Sequence, residues 1–274
     1  MTVVTAGATA TGTGPDRRAI RTGVRTLRTA GVYALSVLAG IGIWQLLAMK
    51  YGPSLVASPH ETLSAARELA SDGTLTNSII ASSRRILIGW GLGVAVGVPV
   101  GLLVGQIKVV RQLLDPYIEF FRFIPPIAFV TLAVVWLGIG ESSKVVLIFY
   151  TAVFIVTLNT SAGVMAVNES KLRAAASLGA SRRQILVGIV LPSTVPHIVT
   201  GARLAMGNSF LTIVSAEIVA AQVGLGSLIW TSRNYGRIDW VFVGIITLGI
   251  LGFVFDRVLR IVASRVLRRY GVKL

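Results

Sequence analysis

Long apolar stretches alternate with short polar segments along most of this chain. A helix needs about 20 apolar residues to cross a bilayer, and six stretches have roughly that length. They lie at 31–49, 85–105, 117–137, 144–165, 197–222 and 240–259. The segment between the first two, 50–83, predicts a single helix around Glu61 to Ala70. The pattern therefore predicts an all-α, polytopic membrane protein with six transmembrane helices.

Composition supports this interpretation. Hydrophobic residues make up 54% of the 274 residues, 14% are charged, and the mean hydropathy is +0.77. No soluble domain of this length needs so much apolar surface. The absence of cysteine excludes a disulfide framework and any thiolate metal site. His60 and His197 have no second histidine nearby, so we expect no metal site.

The net charge of +15 reflects membrane topology. Of the 26 lysines and arginines, five precede the first apolar stretch, four lie in the 166–196 loop and six follow from Arg257 onward. Because cytoplasmic segments carry the excess of basic residues, we predict that both termini and the 166–196 loop are cytoplasmic. The lipid membrane is thus the expected environment, and no nucleic-acid partner is predicted.

These features divide the chain into three parts. Residues 1–30 begin with a Thr/Ala/Gly-rich stretch, followed by arginines at helical spacing, and are predicted to be a disordered, basic cytoplasmic tail. Residues 31–269 form the predicted transmembrane domain, and residues 270–274 a C-terminal tail. The N-terminal region has no short apolar segment with a small-residue cleavage site, so no removed signal peptide is predicted.

The polar and basic segment from Lys171 to Pro192 separates two apolar stretches and reads KLRAAASLGASRRQILVGIVLP. Its alanine- and leucine-rich part, Leu172 to Leu178, predicts a helix, and Gly179 allows the backbone to turn. A second helix is predicted to follow and to stop at Pro192. Its apolar side chains share one side: Ile185, Leu186, Ile189 and Val190. An ordered helical element within a loop indicates a partner that receives it.

This segment resembles the EAA loop of the membrane subunits of binding-protein-dependent ABC importers. The family pattern is E-A-A, three residues, G, nine residues and I-x-L-P. The matching positions are Ala174, Ala175, Gly179, Ile189, Leu191 and Pro192. Arg173 stands where the family usually has Glu. The residues taken alone also allow an ordinary amphipathic hairpin between two spans.

A second resemblance covers the region around the third apolar stretch. Phe121 to Lys144 is similar to the corresponding region of the nitrate, sulfonate and taurine importer permeases. The matching positions here are Arg122, Pro125, Trp136, Gly138, Gly140 and Lys144. Further matches lie downstream: Arg203, Glu217, Gly224, Gly226, Asp239, Asp256 and Arg257. The resemblance runs from about Pro53 to Arg269 and implies the type I ABC importer permease fold, with a five-helix core and one added N-terminal span.

The resemblance also implies partners and a location. It implies two cytoplasmic ABC ATPase subunits, an extracytoplasmic solute-binding protein and a second permease copy, with a homodimer as the expected pairing. The location implied is the bacterial cytoplasmic membrane. The phosphate-binding motif G-x-x-x-x-G-K-[ST] is absent from the chain. We therefore expect that this chain is not an enzyme and binds no cofactor, and that the partner ATPase uses ATP and Mg.

A glycine recurs at every fourth position of the second apolar stretch: Gly89, Gly93, Gly97, Gly101 and Gly105. A stripe without side chains lets another helix approach closely. The stripe is either a plain packing surface, which is the favoured interpretation, or a seam along which helices slide during gating. Pro99 lies within the same stretch and is expected to bend the helix.

Several residues within the apolar stretches are candidates for a translocation path: Arg122, Pro125, Asn208, Ser209, Thr212 and Glu217. A charge inside a membrane is costly and needs a partner or a function. Glu217 is expected either to face the path or to pair with a cation such as Arg122 or Arg203, and a buried structural pair is an equal alternative. The serine, threonine and asparagine face fits a hydrated path or interhelical hydrogen bonds.

Other functional classes have less support. An ion-gradient-driven secondary transporter needs intramembrane carboxylates or broken helices, and Glu217 is the one clear candidate. An intramembrane enzyme needs clustered acids, bases or metal ligands, which the sequence does not indicate. The family resemblance favours a sulfonate, taurine or nitrate as substrate, while a thiamine precursor or another small solute stays open.

Overall fold

The computed structural model describes the backbone of residues 17–267 and the side chains of 31–265 and 267. The predicted C-terminal tail, 270–274, and the first part of the predicted N-terminal tail lie outside the described residues. Residues 17–30, predicted to be disordered, form the start of a helix. Across residues 17–267 every regular element is helical, which confirms the all-α prediction.

The helices follow one another closely. Their bounds are α1 Arg17–Tyr51, α2 Pro59–Ser71, α3 Thr74–Gln106, α4 Lys108–Phe121, α5 Pro126–Leu137, α6 Glu141–Met165, α7 Glu169–Ser177, α8 Arg182–Ile185, a π-helical turn Leu186–Val190, α9 Leu191–Ala220, α10 Leu225–Asn234 and α11 Ile238–Val266. Helix α2 confirms the predicted helix around Glu61. Helix α3 begins well before the predicted span, and α10 lies in a region where no helix was predicted.

Five segments are long and apolar enough to cross a membrane. They belong to α1, α3, α6, the continuous helix from Arg182 to Ala220, and α11. The predicted third span, 117–137, is wrong as a single helix, because α4 and α5 meet there at 97°. Pro125 and Pro126 cause this break, since neither can donate a backbone hydrogen bond and each disfavours the helical conformation in the residue before it. Six spans result when the bent pair is counted as one.

The predicted helix stop at Pro192 is also wrong. The chain continues as one helix from Arg182 to Ala220, and the π-helical turn lies just before Pro192. In this turn the backbone N–H of Leu191 reaches the oxygen of Leu186, five residues back. The wider turn shifts the hydrogen-bonding register where proline removes a donor, so the helix is not interrupted.

Helices α3, α6 and α9 form the centre of the subunit. The five glycines of the α3 stripe lie against successive turns of α6, at Ile148, Ala152, Val156, Thr160 and Val164. The residue numbers rise together, so α3 and α6 run parallel. Helix α9 runs antiparallel to α6, because Gly163 lies against His197 and Gly201 against Asn159. The described contacts show close packing at the stripe and leave the sliding alternative as a prediction.

The two ends of this bundle differ. The loop end carries α7 and α8 and the segment that joins them. The cap end carries α2 and α10, which pack on α3 and α11 through a buried cluster formed by Ala65, Leu69, Leu225, Leu228 and Val243. Helix α2 begins with a capping box, in which Ser58 and Glu61 bond each other's backbone N–H groups.

Candidate functional site

An open cavity of about 530 Å³ lies where the break between α4 and α5 meets the middle of α6 and α9. Residues 122–127 line it at the break, α6 contributes side chains between Tyr150 and Leu158, and α9 contributes side chains between Asn208 and Ser215. We call this the central cavity. It is the place in the described part of the chain where several predicted path residues come together.

Tyr150 forms hydrogen bonds to the break between α4 and α5, beside the central cavity. Its hydroxyl lies 2.5 Å from the backbone oxygen of Phe121 and 3.3 Å from that of Ile124. In a continuous helix the oxygen of Phe121 would accept from the residue four positions on, but Pro125 stands there and has no N–H. The Phe121 oxygen instead accepts from the N–H of Ile124 at 3.0 Å and from Tyr150. Within a membrane, freed backbone groups need another partner. The tyrosine therefore allows an unwound segment to persist at the cavity.

Hydroxyl and amide groups form the polar part of the cavity wall. The side-chain oxygens of Thr151 and Thr212 are 2.9 Å apart. The amide nitrogen of Asn208 donates to the backbone oxygen of Leu204 at 3.0 Å, which leaves its amide oxygen available. Arg122 donates to Glu119, so the charge at the cavity edge is already paired. The wall can thus hydrogen-bond a solute without a free charge.

Four of the six predicted path residues line the central cavity: Arg122, Pro125, Asn208 and Thr212. The other two, Ser209 and Glu217, do not line it. Ser209 is buried and donates to the backbone oxygen of Ala205 at 2.8 Å. Glu217 is 0% exposed. Both point into the packed interior of the subunit because α9 is covered on that side by α3, α6 and α10.

Glu217 pairs with Arg85 of α3, at 2.7 Å. It also accepts hydrogen bonds from Ser82 at 2.8 Å and from the backbone N–H of Gly226 at 2.8 Å. The predicted pairing with Arg122 or Arg203 is therefore wrong, and Arg203 instead contacts Asp256 at 2.7 Å. Glu217 therefore forms a buried ion pair, which was the alternative considered from the sequence.

Arg85 links this pair to a second carboxylate. It donates to both oxygens of Glu141, at 2.6 and 2.7 Å, and to the backbone oxygen of Val223 at 2.7 Å. Lys144 is also buried and donates to backbone oxygens at the start of α6. Sequence reasoning placed Arg85 at the edge of the second span and missed this network. The signal was an arginine and a glutamate within two apolar stretches, since each requires a partner.

Two glycines close the network at the start of α10. Gly224 has a φ of +150°, which favours glycine, and a Cβ there would overlap the Glu217 carboxylate. A Cβ at Gly226 would come within 2.8 Å of the backbone oxygen of Val214. Both positions therefore require the absence of a side chain so that the backbone can approach Glu217.

The loop-end element is locally well ordered. Helix α7 ends in a Schellman motif, in which Gly179 has a φ of +82° and the N–H groups of Gly179 and Ala180 bond Ala176 and Ala175. Helix α8 then starts with a capping box between Ser181 and Gln184. These hydrogen bonds define both sides of the break.

The motif residues of this element have different surroundings. Arg173 forms an exposed pair with Glu169 one turn earlier in α7. Ile189 packs on a buried cluster that includes Val164 and Val190. Leu178, next to the break, is 88% exposed. The remaining motif positions, Ala174 and Ala175, lie within α7, and Leu191 and Pro192 lie at the start of α9.

Comparison with protein families matches residues 97–268 to the family described as binding-protein-dependent transport system inner membrane component. This match covers more than half of the chain. The chain belongs to this family. It is therefore a permease subunit of an ABC importer, a class of subunit that is not itself an enzyme, and it is a multi-pass protein of the inner membrane.

Relatives of this permease share most of its length. A probable ABC transporter permease protein of Brucella melitensis is 40% identical over 230 residues, which cover 84% of this chain and 93% of the relative. The taurine transport system permease protein TauC of Escherichia coli is 35% identical, covering 89% and 90%. The nitrate import permease protein NrtB of Synechocystis is 31% identical, covering 85% and 88%.

Solved structures show the same fold at lower identity. The MetNI methionine ABC transporter, in inward-facing conformations, aligns with a TM-score of 0.61 and 20% identity, covering 73% of this chain and 98% of that chain. An amino acid ABC transporter aligns with a TM-score of 0.58 and 18% identity, covering 74% and 97%. The predicted type I importer permease fold is confirmed.

The cap end of the permease is held by an ion-pair group. Arg237, just before α11, donates to Asp239 at 2.9 Å and to Glu68 of α2 at 2.8 Å. These hydrogen bonds raise the pKa of Arg237, and the bond from Arg237 followed by one from Trp240 lowers the pKa of Glu68. The backbone and side chain of Ser58 likewise lower the pKa of Glu61. The group connects α2 to the start of α11.

Proposed function

We propose that this permease forms the path for a small solute in an ATP-driven importer and is driven by cytoplasmic ATPase subunits at its 171–192 element. The observation that carries the proposal is one continuous helix from Arg182 to Ala220. Its first turn belongs to the loop-end element, and its later turns carry Asn208 and Thr212 of the central cavity. At 1.5 Å per residue, about 45 Å of helix joins the two places. A displacement at the loop end is thereby transmitted to the cavity wall.

The proposed orientation places the loop end and both termini in the cytoplasm. The basic residues of the 166–196 loop and of the C-terminal region support it through the positive-inside rule. The cap end then faces outward, where a solute-binding protein delivers the solute. ATP and Mg are bound by the ATPase subunits, and this chain supplies no cofactor site.

The contact with the ATPase is proposed to combine an apolar anchor with charge complementarity. Leu178 is the anchor, inserted into a groove of the partner. Glu169 and Arg173 neutralise each other on α7, while Lys171, Arg182 and Arg183 leave the element positively charged. The partner groove is therefore expected to be acidic at its rim.

A second permease copy is proposed to close the central cavity, with two ATPase subunits below the pair. The cavity wall supports this, because Leu211 is 72% exposed and Phe123 and Ile127 are also exposed. A single subunit leaves these apolar side chains and the hydroxyl groups beside them open on one side. A homodimer would enclose them from both sides and provide a continuous path.

The substrate is proposed to be a small sulfonate, taurine or nitrate. This choice rests on the similarity to TauC and NrtB and on a cavity whose uncharged polar groups are hydroxyls and an amide that can hydrogen-bond oxygen atoms. A permease for another small solute, such as a thiamine precursor, is the alternative on the same fold.

The coupling proposal is tested with Gly179→Trp in membranes that contain the permease with its ATPase and binding protein. Gly179 has a left-handed backbone that tryptophan adopts with strain, and no described atom lies within 4 Å of its Cβ position. We expect normal insertion and abundance, ATPase activity that no longer depends on the binding protein, and loss of uptake. Gly179→Asn is the matched control, because asparagine tolerates this conformation.

Normal solute uptake by Gly179→Trp would contradict the coupling role. The rival function, an ion-gradient-driven secondary transporter, predicts a different result. Uptake would then persist when the ATPase is inactivated and collapse when an uncoupler dissipates the ion gradient. The burial of Glu217 in an ion pair argues against this rival, because its one candidate ion-binding carboxylate is inaccessible.

A further inference from the structure

Three arginines lie around one carboxylate where α9 packs on α11, in the loop-end half of the bundle. Arg203 of α9 donates from its Nε and one Nη atom to the same oxygen of Asp256, at 2.9 and 2.7 Å. Arg260, one turn further along α11, lies 3.6 Å from the other oxygen of Asp256. Arg257 is exposed, and its guanidinium lies 5.0 Å from the centre of the Phe253 ring. We call the three arginines the arginine cluster.

The arginine cluster carries more positive charge than the nearby sequence neutralises. Asp256 is the one acidic residue that follows Asp239 in the sequence, and α9 has no acidic residue before Glu217. Three guanidinium groups share this single carboxylate, so positive charge is in excess. A charge at the edge of a membrane is costly without a counterion. The excess therefore favours an anion from outside these two helices.

The depth of the arginine cluster matches the headgroup layer of a bilayer. Trp240 lies at the cap end of α11, against the guanidinium of Arg237, and tryptophan is enriched at membrane interfaces. Arg260 follows Trp240 by 20 residues. That separation is about 30 Å of helix, which equals the thickness of the hydrocarbon core. The cluster therefore lies at the opposite headgroup layer, which is the cytoplasmic one in the orientation proposed above.

The arginine cluster is accessible from the lipid side of α11. The side chains of Arg203 and Arg260 are 22% and 36% exposed. Exposed apolar side chains surround Arg257 on the same face of α11: Phe253, Val254, Val258 and Ile261. Such a face contacts acyl chains, while the long arginine side chains reach the headgroups. The surroundings of the cluster thus suit a lipid better than a soluble anion.

The arginine cluster lies away from the face proposed for a second permease copy. On α9, Arg203 and Phe210 are seven residues apart, about two helical turns, and both contact α11. Asn208 and Thr212 of the central cavity lie about 140° and 180° around the helix from Arg203. A second copy that closes the central cavity would therefore leave the cluster open to lipid.

We propose that the arginine cluster binds the phosphate group of an anionic phospholipid at the border between α9 and α11. Arg257 and Arg260 supply the contacts, and Arg203 holds Asp256 in place. Guanidinium groups suit this ligand because they bond phosphate oxygens with several N–H groups. A lipid with net negative charge is preferred over a zwitterionic one, whose own cation offsets its phosphate. The site depends neither on the transported solute nor on coupling to an ATPase.

The experiment measures lipid binding to the purified permease–ATPase complex by native mass spectrometry. Phosphatidylglycerol and phosphatidylcholine are added in equal amounts. A basic side chain near an anionic lipid contributes about fivefold in affinity. We therefore expect Arg257→Gln/Arg260→Gln to weaken the tightest phosphatidylglycerol binding about 25-fold and to remove its preference over phosphatidylcholine. Equal phosphatidylglycerol binding by this variant and the unmodified complex would overturn the site.

The matched control removes two arginines at the cap end, in Arg67→Gln/Arg233→Gln. Both residues are exposed, and Arg233 lies over the Trp230 ring as Arg257 lies over an aromatic ring. This control should bind phosphatidylglycerol like the unmodified complex. An equal loss of binding in the control would overturn the assignment, because net charge alone would then explain the effect.

A second variant separates the charge of the cluster from any effect on folding. Arg257→Lys/Arg260→Lys retains both positive charges, so it should keep the preference for phosphatidylglycerol with weaker binding. A loss as complete as in the glutamine variant would overturn an assignment that rests on charge.

Two further results would identify a different ligand. Radiolabelled inorganic phosphate is added to the complex in phosphatidylcholine nanodiscs, and we expect no binding that the glutamine variant removes. Such binding would show a site for free phosphate and overturn the lipid assignment. Release of the ATPase subunits from the glutamine variant would overturn it as well, because the arginine cluster would then be a contact with protein.

Discussion

Replacing Arg85 with methionine should destabilise the permease more than any change at its exposed ion pairs. Arg85 is the one cation that bonds Glu217 in the described structure, and Glu217 is fully buried. Removing one partner of a buried ion pair typically costs about 3–5 kcal/mol, because the other charge stays buried without compensation. Ser82 and the N–H of Gly226 continue to donate to Glu217. We therefore expect Arg85→Met to fall at the lower end of that range.

Replacing the other partner, Glu217, should destabilise the permease less. In Glu217→Gln, Arg85 keeps both hydrogen bonds to Glu141 and the bond to the backbone oxygen of Val223. The glutamine retains a side-chain oxygen that can accept from Ser82. The loss then resembles that of one charged hydrogen bond, about 1.5–3 kcal/mol. The double variant Arg85→Met/Glu217→Gln should be more stable than Arg85→Met alone, because no unpaired buried carboxylate remains.

Unfolding in mixed detergent micelles, followed by tryptophan fluorescence, measures these differences as a double-mutant cycle. Arg173→Met is the matched control, since it makes the same substitution in the exposed Glu169–Arg173 pair, and such pairs contribute about 0–1 kcal/mol. A double variant with the summed losses of the two single variants would refute the reasoning. So would an Arg85→Met loss no larger than that of Arg173→Met.

Three further predictions address other parts of the structure. Gly93→Val should cost about 1–3 kcal/mol of unfolding free energy, because a Cβ at position 93 would overlap α6. Gly91→Val should cost clearly less, because no described atom lies within 4 Å of its Cβ position. Equal losses would contradict the packing role of the stripe. Tyr150→Phe should lower the free energy of unfolding by about 0.5–1.5 kcal/mol and lower solute uptake, because the α4–α5 break loses the hydrogen bond from the tyrosine hydroxyl. Unchanged stability and uptake would show that the break does not need this hydrogen bond. The pKa of Glu68 is lowered in the folded state, so the contribution of Glu68 to stability is fully present above the ordinary pKa of 4.5 and is lost as the pH falls below that value. Unfolding free energies measured from pH 6 to pH 3 should show this loss. The loss should be smaller in Glu68→Gln.

The loop-end element was the most predictable part of the permease. Its signals are local: an alanine-rich run before Gly179 and a glycine that permits a left-handed backbone. Each acts within a few residues of the chain, so the sequence predicts the helix, the break and the second helix directly. The end of the second helix was not predictable in this way, because a π-helical turn accommodates Pro192.

The candidate path was only partly predictable. Asn208 and Thr212 line the central cavity, whereas Ser209, on the same helix and between them, is buried. A polar face on an apolar helix does not say which neighbour covers it. The same limit applies to Glu217, whose partner Arg85 lies far away in the sequence and meets it only because α3 and α9 pack together.

The sequence by itself determined the membrane class, the apolar spans and the helix–break–helix element, because hydrophobicity and local backbone preference depend on residues close together in the chain. Only the tertiary structure decided the partner of Glu217, the path residues that face the central cavity and the 97° break that shapes it. These features depend on which helices become neighbours and in what register. The glycine stripe shows the connection between the two levels, since its spacing is visible in the sequence but its partner, α6, is visible only in the fold.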